Sequence, residues 1–373
     1  MLLPADPRAS YLVQRQLIDA AILEVLERGL YILGPKVRQF EQSFAGYIGS
    51  GQCVGVANGT DAVHLALRSC GVGPGDRVIT VAHTAVATVS AIEWIGAKPV
   101  LVDIDPDTFT ISTESVAELL ERDHARTIKA VIAVHIYGHA ANLNELIKLC
   151  KRHGAALIED CAQAHGATFQ GRKLGSIGTC GSFSFYPTKN LGAFGDGGAV
   201  TTSDPAIADR LRLLQQYGWR ERYISEVPGY NSRLDEIQAA ILNVKLGCLD
   251  AGNARRRQIA ERYTQEFAGL PVRCPTESRE SHHVFHQYVI RVAERDSLKQ
   301  HLEVQGVKTA ILYPVPIHLQ PGYKSIVECP DGALPVTEQV AREILCLPIF
   351  PELSDDQVGT VIHAVQSYFV HRR

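Results

Sequence analysis

Apolar and polar positions along this chain follow two rhythms. From Gln52 to about Ser203, short and almost uninterrupted apolar runs alternate with stretches of helical spacing: CVGVA then TDAVHLALRSC, RVITVA then TAVATVSAIEWI, PVLVDI then TESVAELLE. AVIAVHIY, NLNELIKLCKRHG, AALIED, SFSF and AVTTS continue the alternation. Apolar strands separated by amphipathic helices predict an α/β fold with a mostly parallel sheet covered on both faces. Ahead of this region, residues 15–29 show helical spacing that stops at Gly29. After Ser203 the pattern turns to long helices, with SRLDEIQAAILNVKLGCLDAGNARRRQIAERYTQEFAG read as one helix joining two parts of the chain. A smaller α/β region opens near Leu270 and Pro271, carries the strand HHVFHQYVIRV and ends in the helix DDQVGTVIHAVQSYFV. The expected division is a large domain over residues 1–250 and a small C-terminal domain over 251–373.

The 373 residues suffice for two domains and a large core. Lys and Arg number 37 against 40 Asp and Glu, so no basic excess exists to drive binding to nucleic acid or to an anionic membrane. A bound phosphate must therefore be held by local geometry. The nine cysteines show no C-x-x-C pair and no regular spacing, which argues against a disulfide framework and structural zinc. MLLPADPRAS lacks the pattern of a secretory signal, and no apolar run approaches the ~20 residues needed to span a bilayer. A cytoplasmic location is expected.

No G-x-x-x-x-G-K-[ST], H-E-x-x-H or G-x-S-x-G signature occurs, and the glycines of GVGPGD do not fit a dinucleotide loop. What stands out is SFSFYPTKNLGAFGDGGAV, residues 182–200, where an apolar strand runs into Lys189 and a glycine-rich stretch. A lysine in a loop is otherwise a solvated charge. Beside Phe183, Phe185 and Tyr186, however, its amine can be desolvated and made nucleophilic. Upstream, AALIED ends in Glu159 and Asp160, either a helix cap or, paired with Lys189, the acidic partner that keeps the ring nitrogen of pyridoxal phosphate (PLP) protonated. In VANGTDAVHLAL, Gly59 and Thr60 open a helix directly after a strand, where free N–H groups and the helix dipole suit a phosphate. Asn-Gly-Thr-Asp is also an ordinary turn.

The order NGTDA, VDIDPDTF, VHIYGHAAN, EDCAQAHGA, SFSFYPTKNLGAFGDGGA, GYNSRLDEIQAAIL, YPVPIHLQP resembles the PLP-dependent sugar aminotransferases of the DegT/StrS type, over nearly the whole chain. The resemblance implies the type I PLP-dependent transferase fold. It matches Lys189 to the lysine that bonds covalently to the cofactor, Asp160 to the partner of the pyridine nitrogen, and Gln163 to the neighbour of the ring hydroxyl. Gly59, Thr60 and Ser184 match phosphate ligands. Asn231 matches an asparagine that reaches the phosphate from the other subunit, which implies a homodimer with shared active sites. Tyr313 and His318 fall where the family receives its nucleotide sugar, with wall packing and a satisfied loop histidine as the alternatives. Many members carry an aromatic residue where this chain has Ala85, so His83 either stacks on the cofactor ring or orients the loop. His283 and His286 lie on opposite faces if their segment is a strand, which disfavours a metal site.

The implied reaction is a ping-pong transfer of an amino group from glutamate to a keto group of a nucleotide-linked sugar. The HTAVAT and GYNSRLDE variants point to C3 of a dTDP-3-keto-6-deoxyhexose, with C4 amination as the alternative. Sugar dehydratases of this family replace the lysine by histidine, and a non-catalytic regulatory homologue would be expected to lose Lys189 or Asp160; both residues are present here.

Overall fold

A computed structural model describes residues 1–330 and 332–370 of the protein. The chain opens with helices α1 (Pro7–Arg28) and α2 (Pro35–Ile48), each starting with proline at its first turn and ending on a left-handed glycine. At Gly29 the φ of 69° closes α1, a conformation that glycine adopts without a Cβ clash. The predicted alternation then appears as β1 (Gln52–Val56), α3 (Gly59–Ser69), β2 (Arg77–Val81), α4 (Val86–Trp94), β3 (Lys98–Val102), α5 (Thr113–Arg122), β4 (Ile128–Val134), α6 (Leu143–His153) and β5 (Ala156–Asp160). A small hairpin follows, β6 (Thr168–Phe169) and β7 (Arg172–Lys173), and then β8 (Cys180–Ser184), β9 (Gly198–Thr202) and α7 (Pro205–Leu214).

Among the described residues the large sheet has seven strands in the order β1-β9-β8-β5-β4-β2-β3. β9 pairs antiparallel with both β1 and β8, while β8, β5, β4, β2 and β3 pair in parallel. Central strands such as β9 and β4 are buried almost throughout, the burial expected of a sheet covered on both faces. In register, Val134 lies opposite Asp160 and Asp160 opposite Ser182, so β4, β5 and β8 deliver their carboxyl ends to one edge. That edge is where ligands bind in open α/β sheets.

Beyond α7 come a short hairpin, β10 (Trp219–Glu221) and β11 (Ile224–Ser225), and two helices, α8 (Glu236–Leu246) and α9 (Leu249–Glu266). The single helix read from the sequence is thus broken at Gly247 and Cys248. The remaining elements are β12 (Ser281–His282), β13 (Tyr288–Arg291), α10 (Arg295–Val304), α11 (Pro335–Glu343), β14 (Ile344–Leu347) and α12 (Asp355–Val370). The strand expected over HHVFHQYVIRV is interrupted, because Phe285 takes a φ of 43° and destroys the two-residue alternation. His283 and His286 are both buried.

One buried cluster lies around the large sheet, and a second joins Ile259, Tyr263, Tyr288, Leu298, Leu345 and Val361. Leu2 and Ala9 pack on the second cluster, and Leu2 pairs with Val307, so the first residues of the chain reach the C-terminal part.

Candidate active site

Asp160 is the last residue of β5, and the sheet register buries its carboxylate. Its Oδ2 accepts the Thr88 hydroxyl at 2.9 Å and its Oδ1 the Ala162 N–H at 3.1 Å. Burial pushes its pKa up, opposed by these two donors and by the nearby Lys189 ammonium. Lys189 lies five residues beyond β8 in a turn closed by its own N–H on the Tyr186 carbonyl at 2.9 Å. Phe183 and Phe185 are fully buried, whereas Tyr186 points outward. Burial lowers the Lys189 amine to about 8, although Asp160 pulls it upward. A low-dielectric carboxylate and a partly deprotonated amine thus share one end of the sheet.

Beside them, the N-terminus of α3 meets the end of β8. Asn58 caps the helix, its side chain accepting the Asp61 N–H at 2.8 Å, which leaves the first N–H groups, at Gly59 and Thr60, without an intrahelical partner. A Cβ on Gly59 would stand 2.5 Å from the Ser184 Cβ, so only glycine allows this approach. The result is a concave group of backbone N–H and hydroxyl donors suited to an anion.

Gln163 and Tyr137 form the opposite wall. Gln163 accepts the Tyr137 N–H at 2.7 Å through Oε1 and donates through Nε2 to the Tyr313 hydroxyl at 3.2 Å. The Tyr137 hydroxyl donates to the Leu312 carbonyl, so its 2.7 Å bond to His83 runs from the histidine Nε2–H. Burial lowers His83 to about 4, so the ring is neutral at pH 7, and its Nδ1 is buried without a partner. Its ring meets Tyr137 and Phe109 edge-on.

Lys189, Asp160, Gly59, Thr60, Ser184, Gln163, Tyr313 and His83 thus gather at one end of the sheet. Two further sequence candidates have other partners. His318 is buried and faces Glu338, with 3.2 Å between Nε2 and the carboxylate. Asn231 is exposed, and its backbone pairs with Gln216. Its neighbours fasten the loop to α3: Ser232 donates to Asp61 at 2.6 Å and accepts the Ala57 N–H, and Tyr230 packs edge to face on His64. The N-cap of α8 is Asp235, four residues beyond Asn231. Of the apolar residues Leu234, Ile237 and Ile241 that follow Asn231, Leu234 and Ile241 are buried within the chain and Ile237 is half-buried.

Sequence reasoning gave no role to Thr88, Tyr137, Asn190 or Asn253. The Asn190 amide donates to Asn253 at 2.8 Å and to the Val284 carbonyl at 3.2 Å, and faces His286 Nδ1 at 3.1 Å. Asn253 in turn donates to the His165 carbonyl at 2.8 Å. The residue after Lys189 is thereby tied to α9. Thr88 and Tyr137 sit inside motifs the sequence displays, AHTAVAT and VHIYGHAAN, and their position just after apolar runs was the available signal.

His135, Glu159 and Cys161 also lie close enough for their ligand atoms to share an ion. Their chemistry is otherwise committed. His135 Nδ1 accepts the Ala141 N–H, so its Nε2–H faces Glu159 at 3.3 Å, and Glu159 takes the N–H groups of Gly175, Ile177 and Gly178.

The arrangement fits PLP: a buried carboxylate for a pyridinium, a depressed lysine amine for the aldehyde, and a helix N-terminus with a close glycine for the phosphate. Comparison with known proteins agrees. The sequence profile of the DegT/DnrJ/EryC1/StrS aminotransferase family matches residues 13–366. A dTDP-3-amino-3,4,6-trideoxy-alpha-D-glucose transaminase from Streptomyces venezuelae is 44% identical over 364 residues, covering 97% of this chain and 95% of the relative. The solved structure of S. venezuelae DesV in complex with a ketimine intermediate superposes with a TM-score of 0.94 at 44% identity, over 98% of both chains. That of Bacillus subtilis NtdA with bound cofactor PMP gives 0.88 at 27% identity, over 96% of this chain and 82% of the other.

Proposed function

We propose that this chain, which belongs to the DegT/DnrJ/EryC1/StrS aminotransferase family, transfers the amino group of glutamate to the C3 keto group of a dTDP-linked 3-keto-6-deoxyhexose. The enzyme is a PLP-dependent aminotransferase of nucleotide sugars. The C3 assignment rests on the S. venezuelae relative, whose name specifies a 3-amino dTDP sugar. The observation that carries the chemistry is the buried Asp160 carboxylate with the half-buried Lys189 amine beside the Gly59–Ser184 cradle.

PLP, when bound, supplies an electron sink for the pair left by a departing Cα proton. The protein contributes the rest. Lys189 holds and moves the proton at Nζ, its amine lowered by burial to about 8, serving as base and then as acid. Asp160 holds its negative charge against a pyridinium, and Thr88 orients the carboxylate. Gly59, Thr60 and Ser184 bind the phosphate, Gln163 borders the ring hydroxyl, and the unpartnered Nδ1 of His83 offers an acceptor at the cofactor wall. Tyr313 and His318 contact the nucleotide sugar in this reading.

We also propose a cytoplasmic homodimer with domains at 1–250 and 251–373, in which Asn231 serves the neighbouring subunit's phosphate. Leu12, Val13, Leu17 and Leu23 on α1 are exposed, apolar surface of the kind a second copy covers. Among the described residues no helix is long and apolar enough to cross a membrane. Incubation with glutamate and a panel of 3-keto and 4-keto nucleotide sugars tests the assignment. Amination of a dTDP-3-keto sugar is expected; exclusive use of 4-keto substrates would move the reaction to C4.

A further inference from the structure

The far ends of the two elements that form the phosphate cradle also meet. α3 begins at Gly59 and β8 ends at Ser184, the close approach described above. At the opposite ends, Cys70 follows the last turn of α3 and Cys180 opens β8, with their Sγ atoms 3.8 Å apart although 110 residues separate them in sequence. The two thiols are not equivalent. Cys180 is fully buried and Cys70 only partly so. A hydrogen bond from Cys180 favours the Cys70 thiolate and lowers its pKa, helped by the positive charge of Arg210. The accessible sulfur is therefore the better nucleophile, and the sheltered one stands behind it.

We propose that Cys70 and Cys180 form a modification site, a dithiol that a low-molecular-weight organic disulfide converts into a Cys70–Cys180 disulfide. In the first step the Cys70 thiolate attacks one sulfur of the reagent, forming a mixed disulfide and expelling one thiolate. Cys180 then loses its proton and attacks Cys70 Sγ, forming the protein disulfide and expelling the second thiolate. The protein dithiol is oxidised by two electrons and the reagent is reduced to two thiols. Forming the bond shortens the Sγ–Sγ separation from 3.8 Å to the ~2.05 Å of a disulfide. The product pins α3 to β8 at the end remote from the cradle and restricts a long loop of the unfolded chain.

The test uses the holoenzyme treated with glutathione disulfide, then alkylated and analysed as intact protein and peptides by mass spectrometry. The expected product is a protein about 2 Da lighter with a Cys70–Cys180 cross-linked peptide. Its thermal midpoint should be several degrees higher, and dithiothreitol should reverse both changes. Cys180→Ser should stop at a mixed disulfide on Cys70, and Cys70→Ser should leave Cys180 unmodified. Recovery of both thiols alkylated, arrest of the wild type at the mixed disulfide, or an unchanged thermal midpoint in the cross-linked protein would overturn the proposal.

Discussion

The hydroxyl of Thr88, on α4, donates to Asp160 Oδ2 at 2.9 Å across 72 residues of sequence. It is the side-chain donor on a buried carboxylate whose pKa burial raises, so it both orients Asp160 and favours its charged form. Asp160→Asn removes the charge at constant size. Turnover should fall at least about a hundredfold, roughly 2.7 kcal/mol of barrier, with PLP still bound. Thr88→Val should cost about tenfold by the same route, a loss of about 1.4 kcal/mol. Steady-state kinetics on both variants checks this, and near-normal turnover in Asp160→Asn would remove the carboxylate from the mechanism.

Lys189 should behave as a nucleophile with an unusual pH midpoint. Its pKa is depressed to about 8, so reaction of the cofactor-free enzyme with PLP should accelerate as pH rises through 8, well below the range of an ordinary lysine. Stopped-flow absorbance across pH 6.5–10 reads the midpoint. Lys189→Ala should fold and lose the borohydride-stable cofactor attachment; a retained attachment would place the reactive amine elsewhere.

Gly59→Ala should damage the phosphate cradle directly. The new methyl group would overlap the Ser184 Cβ at 2.5 Å, and relief requires α3 and β8 to separate. PLP affinity should drop by at least about tenfold, roughly 1.4 kcal/mol, as measured by titration of the cofactor-free protein. Unaltered affinity would mean that the phosphate sits elsewhere.

Acid should destabilise the protein through its buried neutral histidines. His83 and His165 have pKa values lowered by burial to about 4 and about 3, while in the unfolded chain both titrate near 6.5. Below 6.5 the unfolded state takes up protons that the folded state refuses. Stability is therefore complete above that pH and is lost as pH falls toward 4 and then 3, on the order of 3 kcal/mol for His83 alone. Urea unfolding of the cofactor-free protein between pH 7.5 and 5 should show a falling midpoint, and a flat profile would contradict the buried neutral state.

If the active site is shared between subunits, two inactive variants should repair each other. Mixing Asn231→Ala chains with Lys189→Ala chains under exchange conditions should give heterodimers in which one of the two sites is intact. Part of the activity should return. No recovery, with heterodimers demonstrated by native mass spectrometry, would confine Asn231 to its own subunit.

The sequence by itself determined what local periodicity can encode. Apolar runs such as VIAV and ALIE marked buried parallel strands, Gly29 marked a helix end, Asp160 fell at the end of a strand, and Gly59 and Lys189 fell beyond strand ends, where side chains reach a binding edge. Tertiary structure decided everything that depends on strand order. Thr88 meets Asp160, and Tyr137 meets Gln163 and His83, because the sheet sets β2, β4 and β5 side by side, a relation that no residue spacing contains. Leu234, Ile237 and Ile241 have the spacing of an apolar face, yet packing buries Leu234 and Ile241 in their own chain and leaves Ile237 half-buried. The φ of 43° at Phe285 interrupts the expected strand, and His283 and His286 are both buried. Hydrophobic period reports which residues leave water and leaves unspecified which partners they meet; those are chosen when distant segments pack together and most buried polar groups find a hydrogen bond.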